Sequence, residues 1–530
     1  MNLHSVRSRS WARRAAVTTA LGVALASAAV AAPAGAGPFS GPVSAGPFVA
    51  SPASAAVAPG LAAPTDGAAR AAADPVPLRT VRVSTSAQLA SAFAAAVPGD
   101  RIVLADGEYS MVKLADKTGT AEHPIVIEGA TLGGAVVTGG QLEVARSHHV
   151  VVRGLTWRNA ATLKIEASTN VRLTRNDFRL AFVPPADPSS SRHWVSIAGE
   201  GSGYNRLDHN AFAGKTVLGN YVTVYGGATQ ISQHDRIDHN YFSDSPAQPV
   251  NGGEAIRLGV SAISDSSSFA VVEHNLFENC DSDPEIVSLK SDDNTVRYNT
   301  FRTSAGSVVA RRGDRNAIHG NVFLGGGKAG TGGVRLYGDD QRVHDNYFEG
   351  LTGSGYTAAL QVDGGDVDGS GSTSAHWRVH RATIVHNTFV DNVSNVELGA
   401  NYVFPPADVT LANNVVVGST GRLFAEHKET DGLTLAGNIA YPQGGATLGI
   451  EAQPGQIRVA DPLLVRSGGL WRLRQGPAVD AAVGTYPFVV EDLDGQPRDQ
   501  HPDVGADEVS GAPVLRHPLE PSDVGPLADL

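Results

Sequence analysis

Short apolar stretches alternate with turn residues from about Ile125 onward, and a recurrent Asn-x-Phe step marks their rhythm. Tight spacings between successive steps are 22 to 27 residues, and gaps of 30 to 41 indicate loops inserted into a repeat. Repeats of this length are typical of a solenoid, and the Leu pattern of a leucine-rich horseshoe is missing. We predict that each repeat is one coil, with inward Asn side chains bonded from coil to coil and Phe rings stacked in the core. The steps and their two weaker versions begin at Asn176, Asn210, Asn240, Asn275, Asn299, Asn321, Asn346, Asn387, Asn414 and Asn438.

The ordered part begins near Thr80 with a pattern that predicts a strand, a short helix, a tight turn and a second strand. Ser86 is a candidate cap for a helix that carries Leu89 and Phe93. A solenoid needs such an amphipathic piece because its first coil would otherwise expose its core and its unpaired strand edges. The predicted fold class is therefore all-β, a β-helical solenoid with an N-terminal helical cap.

Three strand-like segments, VSLKS, SVVARRG and GGVRLYG, each place a cation directly after an apolar residue. These cations, Lys290, Arg311 and Arg335, are 21 and 24 residues apart, close to the repeat length. We expect them to stack roughly one strand spacing apart, about 4.8 Å. A column of positive charge on one face suits a polyanionic chain.

Composition narrows the function. The 530 residues include 60 glycines, which favour turns over long helices, and one solenoid can use this length as a single body. The net charge of −12 argues against a nucleic-acid-binding protein, whose affinity depends on a basic surface. The single cysteine, Cys280, excludes an intrachain disulfide, so packing and backbone ladders must hold the fold. We expect a monomer.

The N-terminus resembles an export signal. Four arginines precede an apolar run from Ala15 to about Ala32, and small residues up to Ala36 offer cleavage sites. The alternative is a membrane anchor, but the run is short of the ~20 strongly apolar residues that a span needs. We therefore expect a secreted protein without a membrane span.

We divide the chain by composition into five parts. Residues 1–36 are the signal peptide, 37–78 an Ala/Pro/Gly-rich linker, and 79–455 the β-helical catalytic domain. Residues 456–510 are predicted to be terminal coils or a cap on the last turn, and 511–530 a disordered tail. The sequence DLDG near Asp492 lacks the full spacing of a helix-loop-helix calcium site and predicts a turn.

Oxygen ligands fall near the cations in the same phase. Asn251 lies six residues before Arg257, and Asp283 lies seven before Lys290, so Asn251 and Asp283 are expected on adjacent coils. Together with Glu285 they offer the oxygen atoms that a hard cation such as Ca²⁺ prefers. Glu285 and Lys290 differ in parity, so a bulge must separate them if both are to face one side. Glu254 is expected to support these ligands or to pair with Arg257.

These groups suit β-elimination on a uronic acid polymer. A base must remove the weakly acidic C5 proton, and a metal ion or an arginine that neutralises the neighbouring carboxylate stabilises the enolate-like transition state. An acid then assists departure of O4. Lys290 is a candidate base, Arg311 a candidate acid, and Arg335 a bidentate clamp for a carboxylate.

At these residues the chain resembles a known family. NGGEAIRLG, DPEIVSLKS, the Arg311-Arg312-Gly313 step and GGVRLYG, in this order, are similar to polysaccharide lyase family 6, which contains alginate lyases and chondroitinase B. The resemblance covers roughly residues 80 to 450 and implies a right-handed parallel β-helix. It also implies Lys290 as Brønsted base and Arg311 as Brønsted acid. The residues that it implies for calcium are Asn251, Asp283 and Glu285, and the candidates for substrate contact are Arg335, Arg312, Arg257 and Tyr337.

The favoured function is a secreted lyase that cleaves an anionic, uronate-containing polysaccharide, with alginate as the leading substrate. A glycosaminoglycan such as dermatan sulfate is the alternative, because its sulfates could use Arg312, where the family often has His. A C5-epimerase would need a second proton donor on the opposite face of the sugar, and the sequence offers no obvious candidate. A non-catalytic adhesive solenoid would keep the repeats without needing Lys290 and Arg311 in phase.

Overall fold

The structure is a computed structural model that describes residues 76–180, 192–369 and 371–530. The predicted signal peptide and residues 37–75 of the predicted linker lie outside the described residues. Within them the chain is a parallel β-helix, as predicted, in which successive coils add one strand to each of three faces. No helix of the described part is long and apolar enough to cross a membrane.

The first face is a sheet of 14 parallel strands. Its strands are β1 (Arg79–Val83), β2 (Asp100–Leu104), β5 (Ile125–Gly129), β7 (Val150–Arg153), β10 (Arg172–Thr174), β13 (Arg206–Asp208), β16 (Arg236–Asp238), β19 (Val271–Glu273), β22 (Thr295–Arg297), β25 (Ala317–His319), β28 (Arg342–His344), β31 (Thr383–Val385), β34 (Thr410–Ala412) and β37 (Thr434–Ala436).

The second face begins a 25-stranded sheet that the long strand β6 joins to the third face. Its strands are β3 (Gly107–Met111), β6 (Ala135–Ala145), β8 (Thr156–Arg158), β11 (Asp177–Arg179), β14 (Ala211–Ala213), β17 (Tyr241–Ser245), β20 (Leu276–Cys280), β23 (Thr300–Arg302), β26 (Val322–Leu324), β29 (Tyr347–Glu349), β32 (Thr388–Val390), β35 (Val415–Gly418), β38 (Asn438–Pro442) and β39 (Ile457–Val459).

The third face carries the candidate site. Besides the end of β6, its strands are β4 (Leu114–Ala115), β9 (Thr162–Glu166), β12 (Val195–Ala198), β15 (Val222–Val224), β18 (Ile256–Leu258), β21 (Glu285–Lys290), β24 (Gly306–Arg312), β27 (Thr331–Leu336), β30 (Leu360–Val362), β33 (Val396–Leu398) and β36 (Phe424–Glu426). Two 3₁₀ helices, Ser261–Ile263 and Gly355–Thr357, lie in loops. The strands β40 (Val465–Ser467) and β41 (Leu470–Arg472) form an antiparallel hairpin beyond the last coil.

The helix α1 (Ser86–Ala95) closes the first coil, which confirms the predicted helical cap. Its buried residues include Leu89 and Phe93, so its apolar side covers the core. The N-cap is Thr85 and not Ser86: Thr85 has extended backbone, and its side chain accepts a hydrogen bond from the Gln88 N–H at 3.2 Å. An extended residue with a hydroxyl is what an N-cap requires.

The ten asparagines of the repeat form one buried ladder, as predicted. From Asn176 to Asn438 each side-chain amide donates to the Oδ1 of the next asparagine at 3.0 Å. Each also satisfies backbone carbonyls of its own coil or the preceding one; Asn299, for example, donates to Val272 and Arg297. The ladder therefore supplies the hydrogen bonds of a buried corner that water does not reach.

The aromatic residues of the repeat also stack as predicted. Neighbouring rings from Trp157 to Phe389 lie 4.6 to 5.2 Å apart with interplanar angles of 4° to 13°. Each such contact adds ~0.5–1.5 kcal/mol to the burial of its rings. The rings point into the coils behind the second face, so this column sets the register from one coil to the next.

Replacing Asn299 by alanine is expected to lower the free energy of unfolding by ~3 kcal/mol, because its buried side chain makes five hydrogen bonds and a buried group left unsatisfied costs roughly 1–3 kcal/mol. The backbone N–H of Asn275 loses the Oδ1 to which it donates, whereas the Asn275 amide keeps two carbonyl partners and Asn321 Oδ1 keeps the Asn299 N–H. Urea unfolding monitored by circular dichroism measures the loss. The exposed Gln453→Ala is the control, and equal midpoints for the two variants would contradict the ladder's contribution.

The C-terminal segment, residues 460–530, covers the outside of the second face. The strand β39 adds one coil to β38, but the chain then leaves the helix instead of capping its end. Leu470 and Leu493 pack on Val322, Tyr347 and Val390, which point outward from β26, β29 and β32. A face that would otherwise expose apolar side chains is thereby buried.

The prediction that residues 511–530 are disordered is wrong. Leu519 and Val524 pack on Leu276, and the Leu519 N–H donates to the Thr300 hydroxyl at 2.8 Å. Farther along, the Arg175 guanidinium donates to the carbonyl oxygen of Ala528 at 2.6 Å. The segment is poor in periodic apolar residues, so its order depends on partners supplied by the coils.

Candidate active site

The site lies on the outward side of β18, β21, β24 and β27. The strand register places Arg257, Ser288, Val309 and Arg335 in one outward column. Lys290 lies two residues beyond this column, so the predicted single stack of cations is wrong in detail. Arg311 and Arg335 instead lie against Glu285, and Lys290 lies against Glu254.

Two β-bulges bring this about. Between Glu285 and Val287 the pairing of β21 with β24 shifts by one residue, which turns Glu285 to the same side as Lys290. This is the bulge that the sequence predicted between the two residues. Between Leu289 and Lys290 the register shifts again, so that Lys290 pairs with Arg312. Arg311 is the extra residue of this second bulge and projects from the ladder.

Glu285 is the anionic centre of the cluster. Its Oε1 accepts a hydrogen bond from Arg335 Nη2 at 2.7 Å and lies 3.8 Å from Arg311 Nε, while Oε2 accepts from the Ser288 hydroxyl at 2.6 Å. Burial by itself raises the pKa of this carboxyl, but Arg335, Lys290, Ser288 and Arg311 outweigh it and hold the pKa below its usual range. Glu285 thus stays ionised and fixes the two guanidinium groups.

Lys290 lies 3.5 Å from Glu254, whose other oxygen accepts from the Asn220 amide at 2.7 Å. The sequence analysis allowed a pair between Glu254 and Arg257, but Arg257 donates instead to the Tyr225 hydroxyl at 2.7 Å. The side chain of Lys290 is one-fifth exposed, so its amine contacts the buried Glu254 carboxylate and is still open to solvent. We call the outward side of β18, β21, β24 and β27, where this amine lies, the groove.

Asp283 is the carboxylate of the site without a cation within ion-pair distance among the described residues. Its oxygens accept backbone N–H bonds from Gly252, Gly253 and Glu285 at 2.8 to 3.0 Å. Burial, and then the Glu254 carboxylate, raise the pKa of Asp283. A cation bound here would relieve that anionic crowding, and the exposed Asn251 next to Gly252 adds an amide oxygen. The Asp283 carboxylate and the Asn251 amide offer oxygen atoms, one group of them anionic, and such ligands fit Ca²⁺.

Arg312 and Tyr337 do not lie where the sequence placed them. Arg312 is 2% exposed, with its guanidinium 3.1 Å from the centre of the Trp377 ring and its Nε donating to the Ser264 hydroxyl. Tyr337 is fully buried, and its hydroxyl donates to Asp363 at 2.8 Å. Direct contact of either side chain with a polymer is therefore not supported. The Tyr337 ring instead lies beneath Arg311 and Arg335, 5.7 and 5.8 Å from their guanidinium carbons.

Inserted loops bring further residues that the sequence analysis missed. Tyr356 follows β29, and Arg335 lies 5.3 Å from the centre of its ring. His376 and Tyr402 follow β30 and β33 and stack on each other at 4.3 Å. For Tyr356 and His376 the long gap between Asn346 and Asn387 was the available signal, since it indicates an inserted loop, but Tyr402 lies in a tight repeat that gave none.

A second acidic cluster, Asp492, Asp494 and Asp507, lies in the C-terminal segment. Arg472 pairs with Asp494 and Asp507, and the Asp492 carboxylate accepts backbone N–H bonds from Asp494 and Gln496. DLDG therefore forms a turn, as predicted, which an internal arginine neutralises.

Comparisons with known proteins agree with this geometry. The family model for chondroitinase B matches residues 83–441, whereas no curated protein matches the chain. The structure of the PL6 family alginate lyase AlyGC is 28% identical with a TM-score of 0.67, over 83% of this chain and 59% of that chain. A mutant of AlyGC gives 27% and 0.70, over 84% and 58%. A mannuronic acid specific polysaccharide family 6 lyase from human gut microbiota gives 25% and 0.58, over 69% and 86%.

This chain spans just under three-fifths of the length of the two AlyGC chains. The match to the family model nevertheless covers the helical cap, most of the coils and all four strands of the site. The chain therefore belongs to the chondroitinase B family, within polysaccharide lyase family 6.

Proposed function

We propose that this protein is a secreted lyase that cleaves a uronate-containing polysaccharide, most of all alginate, by β-elimination. The observation that carries the proposal is the placement of Arg311 and Arg335 against Glu285 and of Lys290 against the nearby Glu254, on the outward side of adjacent strands. Two of the similar solved structures are alginate lyases of the same family. Secretion rests on the arginines and the apolar run at the N-terminus.

Each cation has a role in this reaction. Arg335, fixed by Glu285, is placed to bind the uronate carboxylate and so to favour charge that develops on it when C5 loses its proton. Lys290, whose amine lies 3.5 Å from Glu254, takes that proton. The electron pair forms the C4=C5 bond, the C4–O4 bond breaks, and Arg311 protonates O4.

We further propose that Asn251, Asp283 and Glu285 hold Ca²⁺. When bound, the ion supplies positive charge that stabilises the ionised substrate carboxylate. Asp283 is the residue on which this depends, because its buried carboxyl has no cationic partner among the described residues. Chelation is expected to lower the melting temperature and turnover together, and added Ca²⁺ to restore both.

The experiment that tests the function incubates the purified protein with alginate, dermatan sulfate and pectate, with and without a chelator. The unsaturated product absorbs in the ultraviolet, so absorbance reports each cleavage. We expect alginate to give the fastest rise. Calcium is tested separately by the melting temperature of Asp283→Asn, which should no longer respond to Ca²⁺. No rise on any substrate would leave a non-catalytic solenoid.

Dermatan sulfate remains the second candidate because the matching family model is that of chondroitinase B. The burial of Arg312 weakens this alternative, since the guanidinium expected to meet a sulfate is stacked on Trp377 instead. A faster rise on dermatan sulfate than on alginate would reverse the order.

A further inference from the structure

The loop after β30 carries a histidine–aspartate pair beside the site. His376 Nδ1 lies 2.9 Å from Asp366 Oδ2, and the same carboxylate oxygen accepts the backbone N–H of His376 at 3.2 Å. Two bonds from one carboxylate fix the orientation of the imidazole. A neutral ring that donates Nδ1–H to Asp366 has its Nε2 lone pair free, which is the arrangement of a general base.

His376 is held in the groove by its neighbours. Its ring stacks on Tyr402 at 4.3 Å and meets Tyr337 at 5.0 Å, and Tyr337 also underlies Arg311. The next residue, Trp377, is clamped by the buried guanidinium of Arg312. Arg312, expected to touch substrate, thus anchors the loop that brings His376 to the site.

The strand order sets Lys290 and His376 on opposite sides of Arg311. Lys290 ends β21, Arg311 lies on the adjacent β24, and the loop of His376 follows β30, two strands farther along. Lys290 pairs with Glu254, which precedes β18. The His376 ring instead contacts Tyr337 after β27 and Tyr402 after β33. The two groups that can accept a proton, Lys290 and His376, therefore lie on opposite sides of Arg311 along the sheet.

We propose that His376 is a second general base of the groove, which takes the C5 proton from the uronate epimer that Lys290 does not serve. Mannuronate and guluronate differ in the configuration at C5, so a base fixed on one side reaches the proton of only one of them. This inference rests on the proposed function and extends it to substrate range.

The step balances as the Lys290 step does. The C5–H bond breaks, its proton goes to His376 Nε2, the electron pair forms C4=C5, the C4–O4 bond breaks, and Arg311 protonates O4. Burial lowers the pKa of His376, against the hydrogen bond to Asp366, and Arg311 and Arg335 lower it further. The other groups against the ring, Tyr337 and Tyr402, are uncharged. The imidazole is accordingly neutral at pH 7 and free to accept a proton.

The test measures kcat and KM of the full chain on polymannuronate and on polyguluronate. Wild type is expected to cleave both. His376→Gln should lower kcat about 100-fold on one polymer, with KM within threefold, and leave the other polymer within threefold. The affected polymer should also lose rate in wild type as the pH falls, because the imidazolium has no free lone pair. Asp366→Asn should lower kcat on the same polymer about tenfold.

His380→Gln is the matched control, since His380 lies on the same loop as His376 but pairs with Asp408, at 2.9 Å, outside the groove. The rates on both polymers should be unchanged in this variant. The inference would be overturned if wild type cleaved only one polymer, or if His376→Gln lowered kcat equally on both polymers or on neither. The lyase function would stand in each of these cases. Accumulation of C5 epimers without cleavage in wild type would also overturn it. Absence of unsaturated product from every polyuronate would refute the function and the inference together.

Discussion

Replacing Lys290 by alanine is expected to lower kcat about 1,000-fold on the polymer whose C5 proton faces it, since removing a positioned base costs roughly 10²–10⁴. Arg311→Ala should lower kcat by a similar factor on both polymers, because protonation of O4 is common to both. The same ultraviolet assay, at saturating substrate, measures these losses.

The loss must be separated from unfolding. Lys290→Ala removes the ion partner of Glu254, but the ammonium is partly exposed, so we expect a stability loss of about 2 kcal/mol and a folded protein. Lys113→Ala, which removes an exposed lysine paired with Glu143, is the control for both rate and stability. Wild-type turnover by Lys290→Ala on both polymers would show that another group is the base.

Arg498→Ala is expected to cost about 3–5 kcal/mol of unfolding free energy and to release the C-terminal segment from the second face. The guanidinium is 2% exposed and pairs with Asp345 of the coils at 2.6 Å and with Glu508 of the segment at 3.1 Å. Truncation leaves both carboxylates buried without their cation. Urea unfolding measures the loss, and limited proteolysis should cut the variant within residues 460–530 first.

Arg466→Ala provides the comparison, because Arg466 joins the same segment to Glu349 through an exposed ion pair worth roughly 0–1 kcal/mol. If the two arginine variants unfolded at the same denaturant concentration and resisted protease equally, the buried pair would not hold the segment.

Much of the fold followed from local pattern. The Asn-x-Phe step predicted both buried columns because each coil presents the same residue at the same corner, and stacking needs only that repetition. The resemblance through residues 251–338 likewise led to the family, since those motifs lie on the four strands of the site.

The sequence by itself thus determined the solenoid, its internal ladders, its helical cap and the residues Lys290, Arg311 and Arg335 as a group. Only the tertiary structure decided that Arg312 turns under Trp377, that His376 returns to the groove, and that residues 511–530 pack on the coils. The physical reason is the range of the interactions. A repeat stacks on its neighbour about one coil away, so periodicity reports it, whereas bulges, inserted loops and the final segment find partners that no spacing encodes.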